Sequence, residues 1–460
     1  MRIFAPLLAL LILASVPLPA QTPPPAVPPA ADAATAAAPK DIPAEGRKFV
    51  DLLVQRNFAE AVKPFTDEMR TAAPPPKLAG IWNSILKQFG AFKQVTGTRV
   101  EPSGQHQAAL VTAEFANMTA DLKVVFDAEG KIAGFFVSPV YTPPSYAKEG
   151  TFQEKEVVIG AGGTGGSGEW ALPATIALPA GAGPFPAVVL VHGSGPHDRD
   201  ETIGPNKPFK DLASGLASQG IAVLRYEKRT RQHAAKLGAA PRLTVQEETV
   251  DDALAAVALL KATAGIDPQR IFVLGHSLGG MLIPRIGQRD PGIAGLIVLA
   301  GATRPLEDLI LEQISYISSL DGKISPEEKK QLDDIGAQAA NIKSLKASTA
   351  SAGALLGYPA TYWFDLQGYQ PATVAKTLKQ PLLILQGERD YQVTMEDFDQ
   401  WKAALADRKD VTLKSYPTLN HLFMEGAGKA KPEEYGKAGH VAEPVIADIA
   451  GWIGTVRPGR

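Results

Sequence analysis

Ser277 lies at the centre of a Gly-x-Ser-x-Gly pattern, residues 275–279, between a short apolar run and a predicted helix. The run Ile271–Leu274 predicts a buried strand, and a helical pattern begins at about Met281. A serine on such a strand-to-helix turn presents its hydroxyl above the sheet, and the flanking glycines avoid clashes across the bend. The pattern therefore predicts a nucleophilic serine. The alternative is a glycine-rich turn whose serine has no chemical role.

A serine nucleophile needs a histidine base and an acid that orients it, and in this architecture the chain order is serine, acid, histidine. An apolar stretch ends at Leu385 and is followed by a polar turn that contains Glu388 and Asp390. We prefer Asp390 as the acid, because Glu388 comes directly after Gly387 and starts the turn. The alternative role for Asp390 is a turn residue or helix N-cap before Met395.

His421 is the candidate base. It follows an alternating strand, Val411–Tyr416, and apolar residues flank it. Of the seven histidines only His421 and His440 come after Asp390, and His440 lies in a glycine- and charge-rich segment typical of a surface. His276 belongs to the serine turn, so its side chain is expected to point elsewhere. The alternative for His421 is a core histidine with satisfied hydrogen bonds.

A glycine-rich loop supplies part of the predicted oxyanion hole. The apolar strand Phe185–Val191 is followed by His-Gly-Ser-Gly-Pro. One donor in this architecture is the backbone N–H after the nucleophile, here Leu278, and the other comes from the loop after an early strand. We assign the second donor to Ser194, with Gly193 as the near alternative. His421 then activates the serine, an acyl-enzyme forms, and water releases it without a cofactor.

Composition excludes several classes of protein. The chain has 460 residues, 45% hydrophobic and 20% charged, which is typical of a soluble globular protein with room for more than one domain. The formal net charge of −2 gives no reason to expect nucleic-acid binding or a polybasic membrane contact. Because there is no cysteine, disulfides, thiolate metal sites and a cysteine nucleophile are excluded.

The first 20 residues predict a signal peptide. Arg2 supplies a positive charge, Ile3–Val16 is almost entirely apolar, and Ala20 offers a small residue at the cleavage position. A retained N-terminal anchor is the alternative, because Leu18 is unusual two residues before the cut. We expect export to the periplasm or the medium, with no stable membrane insertion after cleavage. Residues 21–43, rich in proline and alanine, predict an extended linker.

Residues 44–140 predict a small α+β domain. Apolar residues recur at helical spacing from Phe49 to Phe65 and again from Leu78 to Phe89, and four strands follow. The pattern resembles the cystatin-like and nuclear-transport-factor-like modules found before hydrolase domains in some exported bacterial proteins. We recognise no catalytic set in it, and a role in dimerisation or in gating the site is a hypothesis.

Strands and helices alternate over residues 150–456, which predicts a mostly parallel sheet covered by helices on both faces. Residues 303–370 interrupt the alternation with two polar-faced helices, the second beginning at Ser325. An insertion at this point lies over the C-terminal edge of the sheet, so we expect a cap over Ser277.

Three aromatic residues lie near the C-terminal end of the predicted cap, namely Tyr358, Tyr362 and Trp363. We name them as candidate substrate-binding residues that wall an acyl pocket. The alternative is that they pack the cap against the core, because aromatic side chains serve both uses.

Five sequence blocks carry a resemblance to a known superfamily. They are HGSGPHDRD at 192–200, LRYEKR at 224–229, GHSLG at 275–279, LQGERDYQV at 385–393, and NH at 420–421. With these blocks, the part of the chain from about residue 150 to 454 resembles the α/β-hydrolases. It is most similar to exported bacterial esterases near the serine-aminopeptidase-like and dienelactone-hydrolase-like groups. The resemblance implies an α/β-hydrolase fold with a mostly parallel eight-stranded sheet, and hydrolysis of short-chain acyl or acetyl esters. The dienelactone-hydrolase type uses a cysteine nucleophile, so the serine here argues against that activity.

Residues 198–200, Asp-Arg-Asp, follow the predicted oxyanion loop directly. They are expected to pair with Lys207, Arg225 or Lys228 and so to brace the loop, since such ion pairs are commoner than catalytic roles. Direct contact with substrate is the alternative.

Three functions remain open. The first is a carboxylesterase with Ser277, Asp390 and His421 as its triad, a small-molecule ester as its substrate, and a homodimer as one hypothesis for its assembly. The second is a serine peptidase or amidase with the same triad, but no acidic pair that would hold a peptide terminus is recognisable. Glu247 and Glu248 head a helix and are expected to face solvent. The third is a non-catalytic binding protein, and the intact triad argues against it.

Overall fold

The computed structural model describes residues 41–160, 168–238, 243–346 and 353–457. It contains a small α+β domain followed by an α/β domain with an eight-stranded sheet, so the predicted fold class is confirmed. The predicted signal peptide and the linker as far as residue 40 lie outside the described residues. Within the described part of the chain, every helix is too short or too polar to cross a membrane.

The small domain packs helices against a four-stranded antiparallel sheet with the strand order β1-β2-β3-β4. Its elements are α1 (Ile42–Val54), α2 (Phe58–Ala61), α3 (Asp67–Ala72), α4 (Pro75–Phe89), β1 (Phe92–Ser103), β2 (His106–Phe115), β3 (Thr119–Phe126) and β4 (Ile132–Pro139). The predicted helical pattern from Phe49 to Phe65 is divided between α1 and α2, and Phe65 itself lies beyond α2 in a β-bridge with Ile132. The break occurs because Arg56 adopts a positive φ of 58° and the side chain of Asn57 caps α2.

The larger domain alternates strands and helices. Its elements are β5 (Phe152–Ile159), β6 (Leu172–Pro179), β7 (Phe185–Val191), α5 (Pro208–Ala217), β8 (Ala222–Tyr226), α6 (Arg229–Gln232), α7 (Ala234–Gly238), a π-helical turn (Gln246–Val250), α8 (Asp251–Lys261), β9 (Ile266–His276), α9 (Leu278–Arg289), β10 (Gly295–Leu299), α10 (Leu306–Ser318), α11 (Pro326–Lys343), β11 (Ala354–Leu355), β12 (Tyr358–Pro359), α12 (Ala360–Leu366), α13 (Pro371–Ala375), β13 (Leu382–Gly387), α14 (Met395–Ala404), β14 (Val411–Tyr416), a 3-10 turn (Pro432–Gly436) and α15 (Glu443–Thr455).

The strand order of the large sheet is β14-β13-β10-β9-β7-β8-β6-β5. Strands β14 to β8 are parallel to one another, whereas β6 is antiparallel to both of its neighbours, β8 and β5, and β5 forms one edge. One hydrophobic core lies on each face of the sheet. The central strands are therefore buried on both sides, which is why β7 and β10 are almost continuous apolar runs.

The insertion between β10 and β13 contains α10, α11 and α12 and packs over the start of α9, the helix that follows Ser277. Ile310 and Ile335 of the insertion share a buried cluster with Leu278 and Met281. Helix α11 begins with a capping box, because Ser325 and Glu328 exchange side-chain-to-backbone hydrogen bonds of 3.2 and 2.8 Å.

The small domain contacts the larger one beside the 3-10 turn. The Tyr141 hydroxyl donates to Asp211 of α5 at 2.7 Å, and the Ala438 N–H donates to the Asn117 carbonyl at 3.3 Å. The Nδ1 of His440, which we expected at the surface, lies 3.1 Å from the same Asp211 carboxylate. His440 is thus half-buried at the junction of the domains.

Candidate active site

Ser277 occupies a strained turn between β9 and α9. Its backbone has φ 53° and ψ −117°, a conformation that non-glycine residues rarely adopt. A side chain at Gly275 would place its Cβ 2.3 Å from the Gly279 carbonyl oxygen, and one at Gly279 would come equally close to the Val191 carbonyl oxygen. The two glycines of the pattern therefore allow the chain to pass closely enough for the serine to stand above the sheet.

Asp390 and His421 lie at the same edge of the sheet. Asp390 follows β13, His421 follows β14, and the Nδ1 of His421 is 2.6 Å from Oδ2 of Asp390, with both side chains buried. Glu388, the competing carboxylate, is exposed and accepts a hydrogen bond of 2.7 Å from Ser415 instead. The carboxylate that meets the histidine is thus that of Asp390.

A cavity of about 220 Å³ brings Ser277 and His421 together with the loop after β7. Its other lining residues come from that loop, from the end of β9, from the turn after β13, from the loop after β14 and from the 3-10 turn; they are Gly193, Ser194, Gly195, Pro196, His197, Glu201, Ile203, Gly204, His276, Tyr391, Gln392, Leu422, Tyr435 and Gly436.

Two charged side chains hold the peptide groups of Gly193. Its N–H donates to Oε1 of Glu201 at 2.7 Å, and its carbonyl accepts from the Lys228 ammonium at 2.7 Å. The Gly193 N–H, our alternative oxyanion donor, is therefore already engaged. Ser194 contributes the next N–H of the loop and lines the cavity.

Glu201 and His276 form a buried pair beside the serine turn. Nδ1 of His276 is 2.9 Å from Oε2 of Glu201, and Nε2 is 2.9 Å from the His421 carbonyl oxygen. The His421 carbonyl oxygen can only accept, so Nε2 carries a proton, and an ionised Glu201 carboxylate favours a second proton on Nδ1. Burial works against a charged ring, but the Glu201 carboxylate outweighs it and raises the pKa of His276. Burial likewise opposes the charge of Glu201, and the cation of His276 holds the pKa of Glu201 at about 2.

Sequence reasoning did not identify Glu201 as part of the site. The available signal was its place directly after the HGSGPHDRD block, where a carboxylate can reach back to the loop. The side chain of His276, which we expected to point away from the nucleophile, contacts Glu201 and also lines the cavity.

Two further histidines stabilise the loop as neutral rings. Nε2 of His192 donates to the Asp198 carbonyl at 3.0 Å, and Nε2 of His197 donates to the Ser194 carbonyl at 2.6 Å. Burial lowers the pKa of both rings, to about 3 for His192. Uncharged donors on two carbonyls keep the loop in one conformation without adding positive charge.

The predicted bracing ion pairs are present. Asp200 lies 3.0 Å from Lys207 and 2.8 Å from Arg225, and residues 198–200 do not line the cavity. Lys228, the third cation that we considered, pairs with Glu248 at 3.0 Å instead.

The prediction that Glu248 faces solvent is wrong. Its side chain has no exposed surface and accepts a hydrogen bond of 2.8 Å from the Tyr362 hydroxyl. Glu248 lies in the π-helical turn Gln246–Val250, and the charge of Lys228 and the hydroxyl of Tyr362 compensate the burial of its carboxylate.

The three aromatic residues at the end of the cap do not line the cavity. Tyr362 and Trp363 are fully buried, and Trp363 donates to the Leu355 carbonyl at 2.7 Å. Tyr358 stacks on Tyr362 with 4.4 Å between ring centroids. The structure therefore places them between the cap and the core, which was the second of our two interpretations.

Residues 183–426 match the family described as serine aminopeptidase, S33. The chain belongs to this family. Residues 46–135 of the hydrolase match a family described as a protein of unknown function, DUF3887, which agrees with a separate small N-terminal module.

Two curated relatives are hydrolases. The chain is 39% identical to Esterase EstD of Thermotoga maritima over 88% of this chain and 93% of the relative. It is 26% identical to a monoacylglycerol lipase of Mycolicibacterium smegmatis over 59% of this chain and 88% of the relative. The prediction of a serine hydrolase related to esterases is thereby confirmed. Among solved structures, an acylaminoacyl peptidase of Pyrococcus horikoshii matches with a TM-score of 0.46 and 16% identity, over 81% of this chain and 51% of that one.

Proposed function

We propose that the chain is a serine esterase whose triad is Ser277, His421 and Asp390. The observation that carries this proposal is the 2.6 Å contact between His421 and Asp390 beside a cavity that also contains Ser277 on its strained turn. This is the arrangement of nucleophile, base and orienting acid that acyl transfer requires. The likeness to Esterase EstD over most of both chains supports the ester as substrate class.

The reaction begins when Nε2 of His421 takes the proton of the Ser277 hydroxyl as the oxygen attacks the acyl carbonyl. Asp390 accepts the Nδ1–H, which holds the ring in the required tautomer and stabilises the imidazolium that forms. Collapse of the tetrahedral intermediate expels the alcohol and leaves an acyl-enzyme. Water that His421 deprotonates then attacks the acyl-enzyme and releases the acid.

The oxyanion hole consists of the backbone N–H groups of Ser194 and Leu278. Leu278 is the first residue of α9, so the helix N-terminus also favours negative charge there. Glu201 occupies the N–H of Gly193, which supports Ser194 as the second donor. Each donor is worth about 10²- to 10³-fold in kcat.

The size of the cavity supports short acyl groups. Its volume of about 220 Å³ lies below the roughly 300–1,000 Å³ typical of sites for drug-sized ligands. Tyr391, Leu422 and Tyr435 provide apolar walls for a small acyl chain. Acetyl and other short-chain esters are therefore the proposed substrates.

A serine peptidase or amidase is the alternative, and the family description favours it. Capture of a peptide ammonium would need a free carboxylate at the cavity. Among the described residues, the one acidic side chain that lines the cavity is Glu201, and its two oxygens face the Gly193 N–H and His276. The ester substrate is accordingly our first choice.

Hydrolysis of a p-nitrophenyl ester series, from acetyl to palmitoyl, alongside aminoacyl p-nitroanilides tests the proposal. The protein and Ser277→Ala are assayed side by side. We expect ester turnover that peaks at short acyl chains and is abolished in Ser277→Ala. Turnover of the anilides without a preference for esters would favour the peptidase. Ester turnover that survives in Ser277→Ala would refute the assignment of the nucleophile.

We also propose that the hydrolase is exported to the periplasm or the medium and is cleaved after Ala20. The charged start, apolar run and small residue at the cleavage position support this proposal. N-terminal sequencing of the protein recovered from periplasmic and culture fractions tests it. A chain that begins at Met1 and stays in the membrane fraction would instead indicate a retained anchor. The homodimer stays a hypothesis, which size-exclusion chromatography with light scattering can test.

A further inference from the structure

Lys228 lies behind the loop that carries the proposed oxyanion donor Ser194. It follows strand β8, its side chain is 2% exposed, and its ammonium donates to the Gly193 carbonyl at 2.7 Å. Lys228 is not among the residues that line the cavity. It therefore contacts the loop from the side opposite to the substrate.

The Gly193 carbonyl and the Ser194 N–H belong to one peptide group. That group is planar, and in its trans form the C=O and N–H bonds point in opposite directions. An ammonium that holds the carbonyl oxygen behind the loop thus directs the N–H toward the cavity. The positive charge also polarises the peptide, which strengthens the N–H as a donor.

The ammonium is itself held in place from the cap. Glu248 lies 3.0 Å from the Lys228 nitrogen, and the Tyr362 hydroxyl donates to the same carboxylate at 2.8 Å. All three side chains are buried, so none gains by turning to water. A continuous chain of polar contacts runs from helix α12 of the cap to the peptide of the oxyanion loop.

We infer that Lys228 is a positioning residue of the hydrolase, which aims the Ser194 N–H at the oxyanion through the Gly193 carbonyl, and that Glu248 and Tyr362 hold it there. The inference rests on the proposed function. A purely structural ion pair between Lys228 and Glu248 would stabilise the fold but would leave transition-state binding unchanged.

The test compares Lys228→Met with a matched control, Arg229→Met. Arg229 is also a buried cation and pairs with Asp252, but it makes no contact with the loop. Each variant leaves one buried carboxylate unpaired, so both are expected to lose stability. The readouts are kcat and KM for p-nitrophenyl acetate, the Ki of a trifluoromethyl ketone whose adduct with Ser277 places an oxyanion in the hole, and the thermal unfolding midpoint.

We expect Lys228→Met to lower kcat by about 10- to 100-fold, less than complete removal of a donor, with KM changed by less than about threefold. The Ki of the ketone should rise by the same factor as kcat falls. Arg229→Met should retain kcat and Ki within about threefold at a similar loss of stability.

A second variant serves as a control in case Lys228→Met misfolds. Lys228→Met combined with Glu248→Gln removes both charges, leaves an acceptor for Tyr362, and should show the same loss of kcat and of ketone affinity. Unchanged kcat and Ki in either folded Lys228 variant, or losses no larger than those of Arg229→Met, would overturn the inference. That outcome is distinct from failure of the proposed function, in which Ser277→Ala would retain activity.

Discussion

Replacing Asp390 by asparagine is expected to inactivate the hydrolase through the tautomer of His421. Four donors surround the carboxylate. Oδ1 accepts from the N–H groups of Gln392 and Val393 at 2.7 and 3.1 Å, and Oδ2 faces Nε2 of Gln386 at 3.2 Å and Nδ1 of His421 at 2.6 Å. An asparagine has one carbonyl oxygen, so it can serve only one of these two sides.

The two orientations of the new asparagine amide differ in free energy. If the carbonyl stays on the two backbone N–H groups, the NH₂ faces His421, whose Nδ1 must then accept, so the proton moves to Nε2 and the base is lost. The opposite orientation restores the tautomer but leaves both backbone N–H groups without acceptors, at about 1–3 kcal/mol each. The productive state therefore lies about 2–6 kcal/mol higher, which corresponds to a loss of about 30- to 10⁴-fold in kcat.

The assay is kcat for p-nitrophenyl acetate, with thermal unfolding as the check on folding. Glu388→Gln is the matched control, since Glu388 is the exposed carboxylate two residues earlier and should retain full activity. A folded Asp390→Asn with kcat within tenfold of the parent would refute this reasoning, because it would mean that His421 does not depend on Asp390 for its tautomer.

Three further changes have distinct expected results. Gly279→Ala would place a methyl group 2.3 Å from a β7 carbonyl oxygen and should cost at least about 1–3 kcal/mol of stability together with activity, measured by urea unfolding and ester turnover. Glu201→Gln should lower the free energy of unfolding by about 3 kcal/mol near neutral pH, because the pKa of Glu201 is held at about 2 rather than 4.5. This contribution is present above pH 4.5 and is lost as the pH falls toward 2, so a constant difference across that range would contradict it. Trp363→Ala should cost about 3–5 kcal/mol without changing acyl-chain preference, whereas exposed Phe364→Ala should be nearly neutral; a changed preference in the first would restore Trp363 to the acyl pocket.

Much of the α/β domain could be predicted because its signals are local. Buried parallel strands are short apolar runs bounded by polar turns, and the structure has β7 at the predicted bounds, Phe185–Val191. The alternating edge strand β14 also has its predicted bounds, Val411–Tyr416. The serine turn could be predicted for the same reason, since a Cβ atom at either of its glycines would lie 2.3 Å from a backbone carbonyl oxygen. The order of Ser277, Asp390 and His421 then followed from the chain order of the strands that precede them.

The small domain contains a break between helices that the local sequence pattern does not predict. The helical spacing from Phe49 to Phe65 continues across the junction of α1 and α2, although the chain turns there through the positive φ of Arg56. Hydrophobic periodicity indicates which face of a helix is buried. It does not indicate a break between two helices when both bury the same face.

The sequence by itself determined the mostly parallel sheet and the candidate nucleophile, and the succession of strands set the order of its proposed partners. Tertiary structure alone decided that Lys228 meets Gly193 and that Glu201 meets His276, because these contacts depend on β8 lying beside β7 and β7 beside β9. It also decided that Glu248 is buried. From sequence alone, a charged residue is predicted to be exposed. Only the packing of the cap and of the neighbouring strand supplies the partners that make the burial of Glu248 favourable.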